Sequence, residues 1–388
     1  MKHSIKIYPV GNGDCSLITL SDKTTFLVDC KYRAGAEDPD DDSQFDVKPD
    51  LLKSIGRRNG NPFVDVFTLT HADKDHCHGF ENHFYVGDPS DYGKTNKDNE
   101  EIIIDELWVT SALFSSPLSP DANAVRTEAN RRIRLRNENH PDKDKPGNRI
   151  FLIGYDAGEK FKNVTSYVPG QLVNSFNGKT KADFEIFIHA PFKDDLIKGK
   201  ADKDRNSTSI VFQARFKING ILVCRAMFYG DADHYVIEQI LAKSKKHKNE
   251  EYLKYNLKLT AHHCSWTFFN DVSYEIEENQ TPQAYSLEIL THKLPGAFMV
   301  ASSRKIVVEK PNPPHHPAKT EYVKALGNAA NFLNTATHPS EDKPEPIEFV
   351  IDSAGIQLVN KAKKDKDARV KEALLSTAGR GDKPWVSI

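Results

Sequence analysis

The stretch that most constrains this chain is Val64-Asp65-Val66-Phe67-Thr68-Leu69-Thr70-His71-Ala72-Asp73-Lys74-Asp75-His76-Cys77-His78-Gly79. Its first half is apolar and β-branched, the pattern of a buried strand. It then breaks into His-x-Asp-x-Asp-His, so His71, Asp73, Asp75 and His76 leave one strand end within six positions. A turn can aim all four at one point, and imidazoles and carboxylates gathered in this way hold divalent cations. A solvated polar loop is the alternative for an isolated His/Asp pair; four such residues at this spacing argue against it.

The segment His71-x-Asp73-x-Asp75-His76-x-x-Gly79 resembles the second motif of the metallo-β-lactamase fold. The Asp in its third position is the variant found in the nuclease domain of the DNA-uptake protein ComEC and its relatives. Other segments follow in the family's order. Val10-Gly11-Asn12-Gly13-Asp14 is similar to the family's Val-Gly-Gln-Gly-Asp, with Asn12 in place of Gln. Its glycines permit a tight turn. Asp14 then sits near the metals, tethers a neighbouring loop, or is a plain turn aspartate. Thr24 to Cys30 reads as a strand ending in Asp29, the family's first motif, which supports metal ligands through hydrogen bonds. Cys30-Lys31-Tyr32 follow where glycine is common in the family.

Asn206 and Ser209 match the Asn-x-x-Ser of the ComEC-like group, at the place where other members carry a histidine ligand. The resemblance sets Asn206 beside the ligands and Ser209 against substrate; a cap at a strand start is the alternative. Ile221 to Asp231 is a long apolar run closing in Gly230-Asp231, which resembles the fourth motif, whose Asp bridges two metals. Leu257 to Ser265 ends in His262-His263-Cys264-Ser265, similar to the family's His-His-Gly-Ser with Cys264 for glycine. His263 is the implied ligand, and His262 a phosphate contact or an acid. Pro311 to Pro317 carries His315 and His316, where relatives have a His-Pro segment returning to the site. His315 is thereby a candidate for substrate contact or proton donation, against a loop histidine without a role. Phe349 to Val359 resembles the family's closing hairpin, with Ala354-Gly355 as the turn.

The resemblance implies an α/β protein: an αββα sandwich of two mixed β-sheets with helices outside. It covers residues 1–360, with an insertion at about 80–150, ahead of a basic tail at 361–388. His71 and Asp73 would hold one ion, Asp75, His76 and His263 the other, with Asp231 between them. Two divalent metal ions, Zn or Mn, suit this donor set equally. A bridged pair of cations lowers the pKa of bound water and neutralises charge on a phosphoryl oxygen. The expected activity is phosphodiester hydrolysis with hydroxide as nucleophile and Asp75 at the catalytic centre. His262 or His315 would protonate the leaving oxygen. The implied substrate is DNA. A small-molecule phosphodiesterase, or a phosphorylcholine-esterase-like hydrolase, keeps the fold and changes the substrate. A non-catalytic, metal-stabilised binding module inside a complex is the third reading.

Charge bears on the substrate. A net charge of −2 over 388 residues gives no global basic field, which leaves only local patches for a polyanion. Asp121 to Glu138 is expected to be helical and carries Arg126, Arg131, Arg132, Arg134 and Arg136. Arg131 and Arg134 are the candidates to hold phosphates. An ordinary charged face, with Glu128 and Glu138 pairing the arginines, is the other reading. The acidic stretch from Ala34 to Phe45 and the run from Lys193 to Arg205 read as solvated loops. Five cysteines form no CxxC pair, an odd number that fits reduced thiols and a cytoplasmic setting. Met1 to Ile7 is strand-like rather than a signal peptide, and no window reaches membrane-spanning length, so no membrane is expected. A partner protein or a homo-oligomer stays open.

Overall fold

The computed structural model describes residues 2–33, 35–36, 44–115, 118–155, 158–196, 205–272, 277–308 and 312–359. The basic tail at 361–388, most of the acidic stretch and much of the run after Lys193 lie outside the described residues. The first sheet has ten strands. They include β1 (His3–Ile7), β2 (Ser16–Thr19), β3 (Thr25–Val28), β4 (Gly56–Arg58), β5 (Asn61–Thr68), β6 (Ile103–Val109), β7 (Arg149–Ile153) and β8 (Ser166–Tyr167). A second sheet begins with β9 (Leu172–Val173); β10 (Ser175–Phe176) and β11 (Lys179–Thr180) form a small hairpin of their own. The second sheet continues with β12 (Phe184–Ala190), β13 (Val211–Ile218), β14 (Ile221–Phe228), β15 (Tyr255–Leu259), β16 (Lys293–Ala301) and β17 (Phe332–Asn334). Then β18 (Ile347–Asp352) and β19 (Gly355–Leu358) rejoin the first sheet as a hairpin beside β1. Its two-residue loop is Ser353-Ala354, one position before the expected turn, because Gly355 already pairs with Asp352.

Helices cover both outer faces. In chain order they are α1 (Val47–Ser54), α2 (Lys74–Cys77), α3 (Phe80–His83), α4 (Lys94–Asp98), α5 (Pro120–Asn137), α6 (His234–His247), α7 (Ala284–Leu290) and α8 (His316–Leu326). Strand alternation builds the layers, since successive side chains point to opposite faces. Ile5, Phe26, Val66 and Trp108 of the first sheet meet Phe184, Phe212, Ala226 and Leu257 of the second in one buried layer between the sheets. The opposite face of the first sheet, with Leu27, Val64 and Leu107, packs on Leu51, Phe80, Val125 and Ile133 from α1, α3 and α5. The opposite face of the second sheet, with Met227 and Met299, packs on Ile237, Ile240, Ile289 and Tyr322 from α6, α7 and α8. The order is therefore helices, sheet, sheet, helices, in a mixed α/β architecture.

One inward residue breaks that pattern. Lys258 of β15 is fully buried, its Nζ makes no hydrogen bond, and it sits 3.3 Å from the Tyr229 ring centroid. Burial pushes its pKa far below that of a free lysine.

Two expectations change. From the sequence, Val47 to Arg58 reads as one helix, with Pro49 and Asp50 suited to its first turn. The helix stops at Ser54, because Asn59 and Gly60, both at positive φ, turn the chain back as a hairpin. Gly56 to Arg58 then pair with Asn61 to Phe63 as β4. The segment at about 80–150, expected as an insertion, contains β6, which pairs in parallel with both β5 and β7, and α5, which covers them. Parallel neighbours need a long crossover, so this segment is integral to the sheet. Within it Arg132 is almost wholly buried: it pairs with Glu128 and donates to the carbonyls of Ile104 and Arg149.

The topology decides where functional groups collect. Strands β3 and β5 are parallel, and so are β14, β15 and β16. Their carboxyl ends open at one edge of the two sheets, the place where open α/β sheets present their crevice.

Candidate metal centre

Asp29 lies just past β3, His71 to His76 just past β5, Asp231 just past β14 and His263 just past β15. Asp14 arrives from the loop between β1 and β2. Asp14, His76, Asp231 and His263 are all buried, and one candidate ligand atom from each lies within 4.8 Å of the others. Asp231 is the hub. Its Oδ1 lies 3.1 Å from His76 Nε2 and 3.5 Å from His263 Nε2. Its Oδ2 lies 3.6 Å from His71 Nε2 and 3.7 Å from His262 Nε2. Asp75 Oδ2 stands 3.2 Å from His263 Nε2, and Asp73 Oδ2 stands 3.7 Å from His71 Nε2.

The histidines are aimed from behind. Asp29 is fully buried and accepts from Thr70 N and Thr70 Oγ1, each at 2.7 Å, and from His76 Nδ1 at 2.8 Å. Taking the Nδ1 proton leaves His76 Nε2 facing Asp231. Thr70 Oγ1 is also 3.2 Å from His71 Nδ1. His263 Nδ1 lies 3.1 Å from both the Gly13 N–H and the Ser302 carbonyl. The Asp231 N–H donates to Ser209 Oγ at 3.2 Å. Gly230 is needed there: at φ +51°, a Cβ would come within 3.0 Å of Thr70 Oγ1 and 3.2 Å of Ser209 Cβ.

The His262-His263-Cys264 tip holds three successive residues in the left-handed region, at φ +47°, +54° and +66°. Each costs roughly 1–2 kcal/mol relative to right-handed backbone. Cys264 therefore keeps the backbone form that glycine would adopt without that cost. The tip is held by His262 N–H to the Gly230 carbonyl at 2.9 Å and His315 N–H to the Cys264 carbonyl at 3.0 Å. His315 is itself buried, and its Nδ1 accepts from Trp266 N–H at 2.9 Å.

Charge is concentrated here. Burial would raise the Asp231 pKa, but the four surrounding histidines hold it far below the usual carboxylate range. Burial would lower that of His76, yet Asp231 and Asp29 carry it well above the usual histidine value. Burial pushes Asp14 up to about 6 against the pull of His263 and His76. His71 Nε2, His76 Nε2 and Asp231 Oδ1 are buried and make no hydrogen bond. Imidazole lone pairs and a carboxylate oxygen, orphaned and facing one another, are the donors a cation takes. The group Asp14, His76, Asp231 and His263 could hold a metal ion.

The other sequence candidates fall around this cluster or away from it. His262 lies at the mouth, its side chain 21% exposed and its Nδ1 3.0 Å from Thr267 Oγ1. Asp73 is rimward and pairs with Arg205 at 2.8 Å. Asn206 opens the short turn Asn206–Thr208 beside Ser209. Ser209, expected to touch substrate, spends its hydroxyl on the Asp231 N–H and is wholly buried. Arg131, expected to hold phosphate, is tied to Glu128, Asn148 and the Gly147 carbonyl. Arg134 is exposed on α5, and no contact of the cluster among the described residues reaches either arginine. A helix face cannot offer a guanidinium that its own acid and a neighbouring turn already fill. Asp121, in the first turn of α5, instead accepts from Gly79 N–H and Glu81 N–H, fastening the helix to the loop after His76.

Thr70, Ser302 and Arg205 escaped the sequence reading, as did the contact of the Gly13 N–H with His263. Only Thr70, between strand and motif, and Arg205, beside Asn206, carried a positional hint. A separate cleft of about 820 Å³, lined by Phe187, His189, Gln239 and Lys243 among others, shares no residue with the cluster. No helix of the described residues is long and apolar enough to cross a membrane. The five cysteines are buried and unpaired. No protein-family model and no curated protein matches the chain.

Proposed function

We propose that this chain is a metal-dependent phosphodiester hydrolase of the metallo-β-lactamase fold, resembling the ComEC-like nuclease group, with DNA as substrate. The observation that carries the reading is the convergence on Asp231 of His71, His76 and His263, with the orphaned Nε2 atoms of His71 and His76 turned inward. The four-layer order, with candidate ligands at the carboxyl ends of parallel strands, supports the family assignment. Two divalent ions, Zn or Mn, would be held by His71, Asp75, His76, Asp231 and His263, with Asp14 and Asp73 as further carboxylates. When bound, such ions lower the pKa of water and neutralise charge developing on a phosphoryl oxygen.

The chain's own residues do the rest. Asp29 and Thr70 orient His76 and His71. Ser209 fixes the hub carboxylate through its backbone. His262 is the partly exposed imidazole at the mouth and is suited to give a proton to the leaving oxygen. His315 braces the tip from behind, which makes it a positioning residue. Incubating purified protein with Zn²⁺ or Mn²⁺ and labelled single-stranded DNA tests the reading. Metal-dependent cleavage, lost at least 100-fold in Asp231→Asn and in Asp75→Ala, is expected. Full cleavage by both variants refutes it. Turnover of a small phosphodiester without DNA cleavage moves the substrate to the small-molecule class.

A further inference from the structure

A second group of charges borders the metal cluster, and the hydrolase reading does not use it. The loop Gly11 to Gly13 passes beneath it. A Cβ on Gly11 would lie 3.7 Å from Arg304 Cγ and 4.0 Å from Arg33 Nε. A Cβ on Gly13 would strike the Lys31 side chain and come 2.5 Å from the Asp75 carbonyl oxygen. Three cations, two from the segment after Asp29 and one from far along the chain, thus flank one glycine loop, next to Asp75.

The arrangement is built rather than incidental. Asn12 Oδ1 accepts from Arg304 N–H at 3.0 Å, and Asn12 Nδ2 donates to the Pro313 carbonyl at 2.7 Å. Lys31 Nζ donates to the Asn12 carbonyl. The same loop touches the metal cluster through Gly13, whose N–H meets His263 and whose carbonyl accepts from Ser302 Oγ at 2.6 Å. Neither Lys31 nor Arg304 forms an ion pair among the described residues. Burial lowers the Lys31 pKa against the pull of Asp75, and the proximity of Arg33 and Arg304 lowers it further. Like charges crowded at a partly exposed rim repel one another, and an anion relieves that repulsion.

We propose that Lys31, Arg33 and Arg304 form a phosphate-binding rim that takes the backbone phosphate next to the scissile one, which makes the substrate a nucleic-acid strand. This rests on the phosphodiesterase reading for the scissile position. A ligand with one phosphate reaches the metal centre alone, whereas a strand spans the centre and the rim. Arginine suits the role because its planar fork binds phosphate in two-point fashion. Arg205, paired with Asp73 beside the metal cluster, is a further cation at the site.

The test measures binding of a cleavage-resistant phosphorothioate 12-mer and of a dinucleoside monophosphate to the full-length, Mn²⁺-loaded protein, as a function of salt. Wild type is compared with Arg33→Gln, Arg304→Gln and Arg304→Lys. Arg57→Gln, on β4 beside the end of β5 opposite the metal cluster and paired with Glu100, is the charge control. Each Gln variant is expected to weaken 12-mer binding about 3–10-fold and to reduce the salt slope by about 0.7, the value for one lost single-strand phosphate contact. Arg304→Lys should retain most of the slope, and Arg57→Gln all of it. The dinucleoside monophosphate should show no loss beyond the control. Unchanged slopes in both Gln variants overturn the rim. If the 12-mer results hold but wild type cleaves no phosphodiester, the hydrolase reading falls and the rim stands. If wild type cleaves DNA and the Gln variants bind like wild type, the rim alone falls.

Discussion

Replacing Asp29 by Asn removes one charge and one acceptor from behind His76 while keeping the shape. In the native protein the carboxylate takes three hydrogen bonds of 2.7–2.8 Å and is fully buried. An amide offers one oxygen, enough for the Thr70 N–H or hydroxyl, and turns an NH₂ towards a remaining donor. All three contacts have the same carboxylate as acceptor, and a hydrogen bond to a charged group, such as the His76 contact, is worth about 1.5–3 kcal/mol. Two readouts follow. Unfolding in urea should show Asp29→Asn destabilised by about 2 kcal/mol, in line with that range. Competition for Zn²⁺ against a chromogenic chelator should show affinity about 10–100-fold weaker, the usual effect of losing the carboxylate behind a ligating histidine. Asp29→Ala leaves the donors unanswered and should cost more, about 3–5 kcal/mol. If Asp29→Asn binds zinc as wild type does while Asp231→Asn loses it, Asp29 does not orient a ligand and the account of His76 is wrong.

Three further expectations can be checked independently. Lys258→Met should stabilise the fold by about 1–3 kcal/mol at pH 7, since it removes a buried amine without a hydrogen bond. Because the folded pKa of Lys258 is depressed, its penalty is greatest below that pKa and fades towards about 10.4, so the gain should shrink in alkaline buffer; a loss above 1 kcal/mol would show that the Tyr229 ring outweighs the penalty. His189 is buried, with Nε2 3.0 Å from the Tyr252 carbonyl, and burial lowers its pKa to about 4. Its neutral form stabilises the fold above about 6.5, and some 3 kcal/mol is lost as pH falls from there through 4; His189→Gln should flatten that part of the pH–stability curve. Gly13→Ala, at φ +142° with a Cβ 2.5 Å from the Asp75 carbonyl, should abolish zinc binding while leaving far-ultraviolet circular dichroism intact.

What was legible in the sequence was what lies contiguous along it. The strand running into His71, Asp73, Asp75 and His76 announces itself by an apolar run that ends in donors, and Gly230-Asp231 and His262-His263 repeat the pattern. Side chains whose partner is far away in the chain could not be read. Asp14 carried three readings, and the structure sets it within 4.0 Å of His76 and 3.9 Å of His263. Arg131 looked like a free cation because Asn148 and the Gly147 carbonyl, which fill its guanidinium together with Glu128, lie beyond the helix. His315 looked like a substrate contact because nothing in its own segment reveals that Trp266 occupies Nδ1. Spacing reports which residues leave a strand end together; it does not report which hydrogen bonds they spend on arrival.

The candidate ligands belong to both halves of the sandwich: Asp14 and His76 come from the edge of one sheet, Asp231 and His263 from the edge of the other. An ion seated among them is a rivet through two layers joined elsewhere by oily contact and a few hydrogen bonds, such as Ile210 N–H to the Thr70 carbonyl at 3.0 Å. Chelation would then loosen a seam as well as silence a centre, and at a hundredfold excess over Kd the rivet adds about 2.7 kcal/mol to the fold.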